Sequence, residues 1–480
     1  MQGGHHQLTT TMPTSRQERI AFALMLLTAP AVVYALTLLR PTFDDWTYTT
    51  YPNTDPDFWK YLLPYGDYWR PFDGAFGYVV AMGDRWFPTL NHLCVYLGHA
   101  LATLWVWLIA RRLDFHPAAR LTAATIHYVS PAILGTVLSI DSLNQTYASC
   151  WGLAALWVYL SGKRHAIPSW LLLCATATLC KENGAMWLFI SPWVGWLFNK
   201  VSGRQACRHL AWAMGLLIVY GTLRLALPNS YEKEENAYFN ISLAGRLSNV
   251  AKYVLLSYTS FDFVSVFHRP SRNVPYLLLT LTLSAPYFAL NLLNAYRRRC
   301  DRRLWGLLAA SLVAVAPHLL TLFSTMHAYA GLAPLALLAG WLMPKEENIR
   351  RTALGALILY VVSAIAVGAR HWEKAYQSGM DGYQMALETI RQTHKPTHRV
   401  HCICVDHGEH KYSSFCVIPY DSYGWGNAVV WQTGGKWPQE LHATITTPHN
   451  NPQQMAQEKL REGYDHVWIV DGKNIQVIER

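Results

Sequence analysis

The sequence predicts a polytopic α-helical membrane protein with about eleven transmembrane helices, loop helices on its outer face and a small C-terminal α/β domain. Three observations predict this. Of 480 residues, 52% are hydrophobic and 15% charged, where a soluble domain carries about 25% charged residues. The apolar residues fall in blocks near the ~20 residues that span a bilayer. The 20 Trp and 27 Tyr suit aromatic belts at the two interfaces.

Hydropathy places the spans at 20–39, 88–110, 118–138, 143–161, 166–180, 183–199, 208–227, 275–296, 304–323, 328–343 and 351–369. The first follows Arg16 and Arg19 and is longer than a signal-peptide core, so it reads as an uncleaved anchor. The fifth and tenth are short and are expected to be tilted, broken or partly buried in protein. With the N-terminus inside, the inner segments hold Arg16, Arg19, Arg111, Arg112, Arg120, Lys163, Arg164, Lys200, Arg204, Arg208, Arg297, Arg298, Arg299, Arg302, Arg303, Lys345, Arg350 and Arg351. Those 18 basic residues face 5 acidic ones, the positive-inside pattern. The net charge of +10 is therefore a topology signal and gives no reason to expect nucleic acid.

An odd number of spans puts the C-terminus outside. The expected boundaries are a membrane domain over 1–370 and a soluble extracytoplasmic α/β domain over 371–480. The latter reads as a helix (EKAYQSGMDGYQMALETIRQ), a strand (HRVHCICV), short strands (AVVWQ, LHATIT), a helix (NPQQMAQEKLREGY) and a strand (HVWIV). This alternation suggests a partly parallel sheet. The nine cysteines make no metal pattern. Cys402 and Cys404 share a strand face and read as buried thiols, with a disulfide to Cys416 as the alternative outside the cytoplasm.

Polar groups gather at the outer ends of the spans. The first outer loop opens on PTFDDWTY, with Asp44 and Asp45, and continues through YWRP and GDRW, with Arg70 and Arg85. LSIDSLNQ presents Asp141, CKENG presents Lys181 and Glu182, FHRPSRN presents Arg269 and Arg272, and STMHAYAG presents His327 and Tyr329. Plainer readings exist. Asp141 would serve as a helix N-cap, Lys181 with Glu182 as an interfacial pair, YEKEEN as solvated charge, and His92 and His99 as hydrogen-bonded helix histidines. Two adjacent carboxylates beside Trp46 and Tyr48 exceed what one cap needs, and they perturb each other's ionisation. A channel or carrier needs polar groups near the midplane, and most of these spans are apolar through their middles.

An acidic pair opening the first outer loop, then a Trp-Arg-Pro segment and an amphipathic helix, resembles the C-type (lipid-phosphate-sugar-dependent) membrane glycosyltransferases. Asp141 outside the third span and Lys181–Glu182 outside the fifth extend the resemblance over residues 15–370. Where that superfamily often has Arg-Tyr before a late span, this chain has His327 and Tyr329. The resemblance implies a glycosyltransferase (hexosyl- or pentosyltransferase) moving a sugar, with inversion, from a polyprenyl-phosphate donor to an acceptor hydroxyl. Asp44 would be the general base and Asp45 its partner. A basic clamp from Arg70, Arg85, Lys181 or the Arg269–Arg272 pair would hold the donor phosphate, with Asp141, Glu182, His327 and Tyr329 as further substrate-binding groups. No cofactor is assigned, and a divalent cation bridging Asp44 or Asp45 and the phosphate is left open. The partners implied are the lipid-linked donor, membrane lipids and a glycan, lipid or protein acceptor. The expected setting is a bacterial inner membrane with the site in the periplasm. The C-terminal domain is expected to aid acceptor recognition or cover the site. A transporter or flippase for a lipid-linked sugar is the alternative.

The charge asymmetry makes a direct prediction. A reporter active only outside the cytoplasm should be active when fused after Arg480 and silent when fused within RRRCDRR. Reversed activities would invert the topology.

Overall fold

The structure, a computed structural model, describes residues 16–42, 45–46, 55–64, 68–82, 89–163, 165–228, 242–260, 270–319, 325–392, 399–405, 410–412, 417–419, 425–433, 441–471 and 474–479. Each expected apolar block contains a helix. The chain runs through α1 (Arg16–Thr37), α2 (Pro71–Met82), α3 (Thr89–Arg112), α4 (Pro117–Val129) and a one-turn α5 (Leu134–Val137). It continues with α6 (Leu143–Tyr159), α7 (Ala166–Cys180), α8 (Trp187–Leu197), α9 (Gly203–Ala226) and α10 (Leu243–Thr259). Then come α11 (Pro270–Arg297), α12 (Arg302–Leu319), α13 (Thr325–Leu342) and α14 (Glu347–Gln392). The helices α2 and α10 lie in the two long loops. Among the described residues α3, α9, α11 and α14 are long and apolar enough to cross a membrane by length and composition. The chain is a polytopic membrane protein.

Three departures from expectation have local causes. A break falls in the third block, whereas the tenth is one continuous helix buried in the protein along nearly all of its length. Pro131 holds Ser130 extended (φ −55°, ψ 137°), because a residue before proline avoids the helical region. The short α5 then hands over to the turn at 138–142. Further along, the final span and the first helix of the C-terminal segment are one helix. The 46-residue α14 contains no proline and runs straight through residue 370. Finally, AVVWQ is helical, within α15 (Trp425–Gln432).

The main apolar core joins α3, α4, α6, α8, α12 and α13. At Gly152, a Cβ would lie 1.8 Å from the Trp187 indole, so glycine lets α6 meet α8 closely. Lipid-facing surface remains on α9, where Leu225 is 86% exposed. One end of the bundle collects basic side chains. There Lys200 pairs with Asp114 at 2.8 Å, and Glu18 and Arg120 form a buried ion pair at 3.2 Å. That pair is completed by the Trp107 indole N–H donating to Glu18 (3.3 Å) and by Arg120 donating to the Phe115 carbonyl (2.7 Å). The opposite end, where α1 finishes, carries the residues taken up below and is called the site end.

The C-terminal segment builds a four-stranded sheet from β1 (Val400–Val405), β4 (Leu441–Thr446), β5 (His466–Asp471) and β6 (Asn474–Glu479). β2 (His410–Tyr412) and β3 (Val417–Pro419) form a separate hairpin. The sheet order is β4-β1-β5-β6, with β1 parallel to both neighbours and β6 antiparallel. The helices α15 and α16 (Pro452–Arg461) complete the segment. Cys402 and Cys404 are buried, with their sulfurs 3.5 Å apart; Cys416 falls outside the described residues.

Candidate active site

Residues 35–46 lead from the end of α1 into the site. Thr42 and Asp45 bond reciprocally: the Asp45 N–H donates to the Thr42 carbonyl (3.0 Å), and the Thr42 N–H donates to Asp45 Oδ2 (3.1 Å). This is half of a capping box, and T-x-x-D is its sequence mark. The other carboxylate oxygen, Oδ1, reaches across the bundle to the turn after α5. It accepts from the Ile140 N–H (2.7 Å), the Asp141 N–H (3.0 Å) and the Ser139 hydroxyl (2.8 Å). Ser139 Oγ also contacts Asp141 Oδ1, so the two carboxylates meet through one hydroxyl. Asp45 is 1% exposed. Burial first, and Asp141 second, push its carboxyl up to about 7, against the lowering pull of its donors. Asp44, paired with it in sequence, lies outside the described residues.

Asp141 does not cap α6, whose N-cap is Ser142 with no side-chain bond. Instead the Asp141 carbonyl accepts from Asn144 Nδ2 (3.0 Å), which also donates to Asp73 in the first turn of α2 (3.1 Å). Just before α2, Arg70 grips Glu182 by its Nε (2.9 and 3.0 Å) and Nη2 (2.8 Å). The expected Lys181–Glu182 pairing is therefore replaced by Arg70–Glu182, which ties the first loop to the α7–α8 turn.

Lys181 sits between these acidic groups yet has a different neighbour. It is extended between α7 and the following 3₁₀ turn, and 8% exposed. Its ammonium contacts the Met326 thioether at 4.0 Å, a weak acceptor. Among the described residues no carboxylate pairs with it. Burial and then Arg70 lower Lys181 to about 8, although Asp141, Glu182 and Asp73 pull the other way. Next to Met326, His327 stacks on His318 of α12, with ring centroids 4.4 Å apart and planes 9° apart. Asn183 joins this edge by donating to Gln145 (3.1 Å) and lying 3.5 Å from His318 Nε2.

The structure thus brings Asp45, Asp141, Arg70, Lys181, Glu182 and His327 to the site end. It also adds Ser139, Asp73, Asn144, Gln145, Asn183 and His318. Four of the additions stand inside LSIDSLNQ and CKENG, stretches marked by their acids and lysine alone. Arg85 and Arg269 lie outside the described residues, as does the side chain of Arg272. Tyr329 turns inward: its hydroxyl meets His99 Nδ1 at 3.0 Å, and His99 stacks on His127, which meets Thr103 at 2.8 Å. This buried polar cluster lies near the middle of α3, so α3 is not among the spans that are apolar through their middles. His99 is hydrogen-bonded as expected, whereas both His92 ring nitrogens are buried without a hydrogen-bond partner among the described residues. Among the described residues no group of three or more metal-ligating side chains assembles. Asp45 is a poor candidate ligand, because its oxygens already serve four donors.

No protein-family model matches the chain, and no curated protein does. Solved structures do. Apo ArnT from Cupriavidus metallidurans aligns with a TM-score of 0.55 at 12% identity, covering 96% of this chain and 98% of that one. ArnT from the same organism bound to undecaprenyl phosphate gives 0.52 at 11% identity, covering 96% and 97%. An oligosaccharyltransferase, AglB from Archaeoglobus fulgidus in complex with an inhibitory peptide and a dolichol-phosphate, gives 0.48 at 12% identity, covering 94% and 69%. ArnT is a lipid-phosphate-sugar-dependent glycosyltransferase of the C-type superfamily. The similarity expected from the motifs is present in the fold, along nearly the whole of both chains.

The Asp45 environment predicts a pH-dependent effect. With its folded pKa raised, Asp45 favours folding most at acid pH, and that contribution is lost as pH rises through about 7. Asp45→Asn, permanently uncharged, should therefore lower the melting temperature most at pH 5 and least at pH 8. Thermal unfolding in detergent across that range checks it; a deficit independent of pH would contradict the raised pKa.

Proposed function

We propose that this protein is a membrane glycosyltransferase that moves a sugar from a polyprenyl-phosphate donor to an acceptor hydroxyl at the site end of the bundle. The observation that carries the reading is Lys181: a buried ammonium without a carboxylate partner among the described residues, flanked by Arg70 and two histidines. Taking a charge from water costs several kcal/mol unless it is paired. A phosphate supplies the missing counter-charge and strong acceptors. The fold shared with ArnT, crystallised with undecaprenyl phosphate, supports a lipid-borne phosphate as the occupant.

In this reading the acceptor hydroxyl attacks the anomeric carbon as the bond from that carbon to the phosphate oxygen breaks. The bonding pair leaves with the phosphate, and the acceptor proton passes to Asp44. One displacement inverts the anomeric centre. The negative charge on the departing phosphate is met by Lys181, with His327 and His318 beside it. Arg70 is held by Glu182 and orients the loop. Asp45 anchors the acidic pair instead of taking the proton, because its oxygens are engaged by the 139–141 turn and Thr42. Sugar type, hexose or pentose, and acceptor, glycan, lipid or protein, are not specified by these groups. A bacterial inner membrane, with the N-terminus cytoplasmic and residues 371–480 periplasmic, follows from the charge asymmetry and the resemblance. The His99–His127–Tyr329 cluster is the observation that favours a lipid-linked-sugar flippase. Its rings pack on one another, which makes it a helix-packing device in the transferase reading.

Transfer from a panel of polyprenyl-phosphate sugars tests the function. Asp44→Asn should lower the transfer rate about 10²- to 10⁴-fold and leave polyprenyl-phosphate affinity unchanged. Lys181→Gln should weaken that affinity about ten- to hundredfold. In the wild type, affinity should fall as pH rises through about 8, where Lys181 loses its proton. In Lys181→Gln that fall should vanish. Full transfer by Asp44→Asn, or a pH profile unchanged by Lys181→Gln, would refute these roles.

A further inference from the structure

We infer that Trp46 is a positioning residue through which the C-terminal domain fixes the acidic pair, an inference that rests on the transferase reading. Asp45 and Trp46 are consecutive, yet their side chains serve different halves of the protein. Asp45 is buried in the membrane half, against the 139–141 turn. Trp46 is 2% exposed and lies in the apolar cluster of the C-terminal segment, with Met385, Val400, Cys402, Cys404 and Trp468. Its indole meets that of Trp431 on α15, with centroids 5.6 Å apart. The wall around Trp46 is therefore built by β1, β5, α15 and the far end of α14.

The approach to Trp46 is tied to the same helix in sequence order. The Trp372 indole donates to the Ala35 carbonyl (2.8 Å). At Gly379 a Cβ would stand 2.6 Å from the Arg40 carbonyl oxygen, so glycine permits the backbones to touch. The Arg40 guanidinium lies 5.1 Å from the Tyr383 ring centroid, and Met385 belongs to the same apolar cluster as Trp46. From 372 to 385 the helix rises about 20 Å, a continuous rail from the membrane half to the sheet. A loop that only had to place carboxylates in water would have no use for a buried indole. Here the buried indole holds the chain beside Asp45, in a cluster whose described members are apolar. Misplacing a reacting group by about 1 Å can cost about a hundredfold in rate, so this wall matters to turnover without touching either substrate.

The test separates positioning from donor binding and from folding. In full-length protein, Trp46→Ala and Trp431→Ala should each lower kcat about ten- to hundredfold, with the affinity for sugar-free polyprenyl phosphate unchanged. Trp46→Phe should recover most of the rate. The double variant should be no slower than Trp46→Ala alone, because the two rings form one contact. Amide exchange at Ile140 and Asp141, which donate to Asp45, should quicken in Trp431→Ala although Trp431 lies in the other half. This readout needs no transfer activity and keeps the inference testable if Trp46→Ala fails to fold. Wild-type kcat in folded Trp46→Ala, additive losses in the double variant, weakened lipid-phosphate affinity, or unchanged exchange in Trp431→Ala would each overturn it. Absence of transfer by the wild type would instead refute the transferase reading.

Discussion

The arrangement depends on one buried carboxylate. Asp45 spends both oxygens on backbone and hydroxyl donors from two distant segments, Thr42 and the 139–141 turn. Those bonds exist because Pro131 breaks the third apolar block. An unbroken helix would have consumed the Ile140 and Asp141 N–H groups in its own ladder. A helix break that leaves N–H groups exposed in a bundle must find acceptors for them, and a carboxylate is the strongest available. Once Asp45 is committed, Asp141 is brought beside it. Asn144 then links the pair to Asp73, and Arg70 with Glu182 closes the ring of loops around Lys181.

Much of this was legible in the sequence, for identifiable reasons. Long apolar blocks mark helices because backbone groups in a bilayer must bond internally, so every block contained one. The acidic pair, Asp141, Lys181 and His327 stood out as charged or titratable groups at block ends, and of these Asp45, Asp141, Lys181 and His327 converge. Averaged hydropathy does not register a single proline, so the break at Pro131 passed unseen. The run from 347 to 392 changes from apolar to polar without proline, which alters its surroundings and not its helicity. AVVWQ reads as a strand by β-branched and aromatic content, yet in α15 it offers Val429 and Trp431 to the pocket of Trp46. Pairings between segments far apart in sequence, such as Arg70 with Glu182 or His318 with His327, have no local signal at all.

The placement of charge also separates the two ends of the bundle. At the basic end, Glu18 and Arg120 neutralise each other in the interior, and the remaining cations lie around loops such as the one closed by Lys200 and Asp114. At the site end, acidic groups are satisfied by N–H and hydroxyl donors, while Lys181 is left with a thioether. Tyr329 shows how one helix serves two tasks: its inward face packs on His99, while His327, two residues earlier, lies against His318 beside Lys181.

The most direct measurement is an experimental structure of the protein with a polyprenyl phosphate bound. The account predicts phosphate density in contact with Lys181, beside His327 and His318, and on the same side of the bundle as Asp45. Phosphate seated at the basic end, or among His99, His127 and Tyr329 in the middle of the bundle, would contradict it.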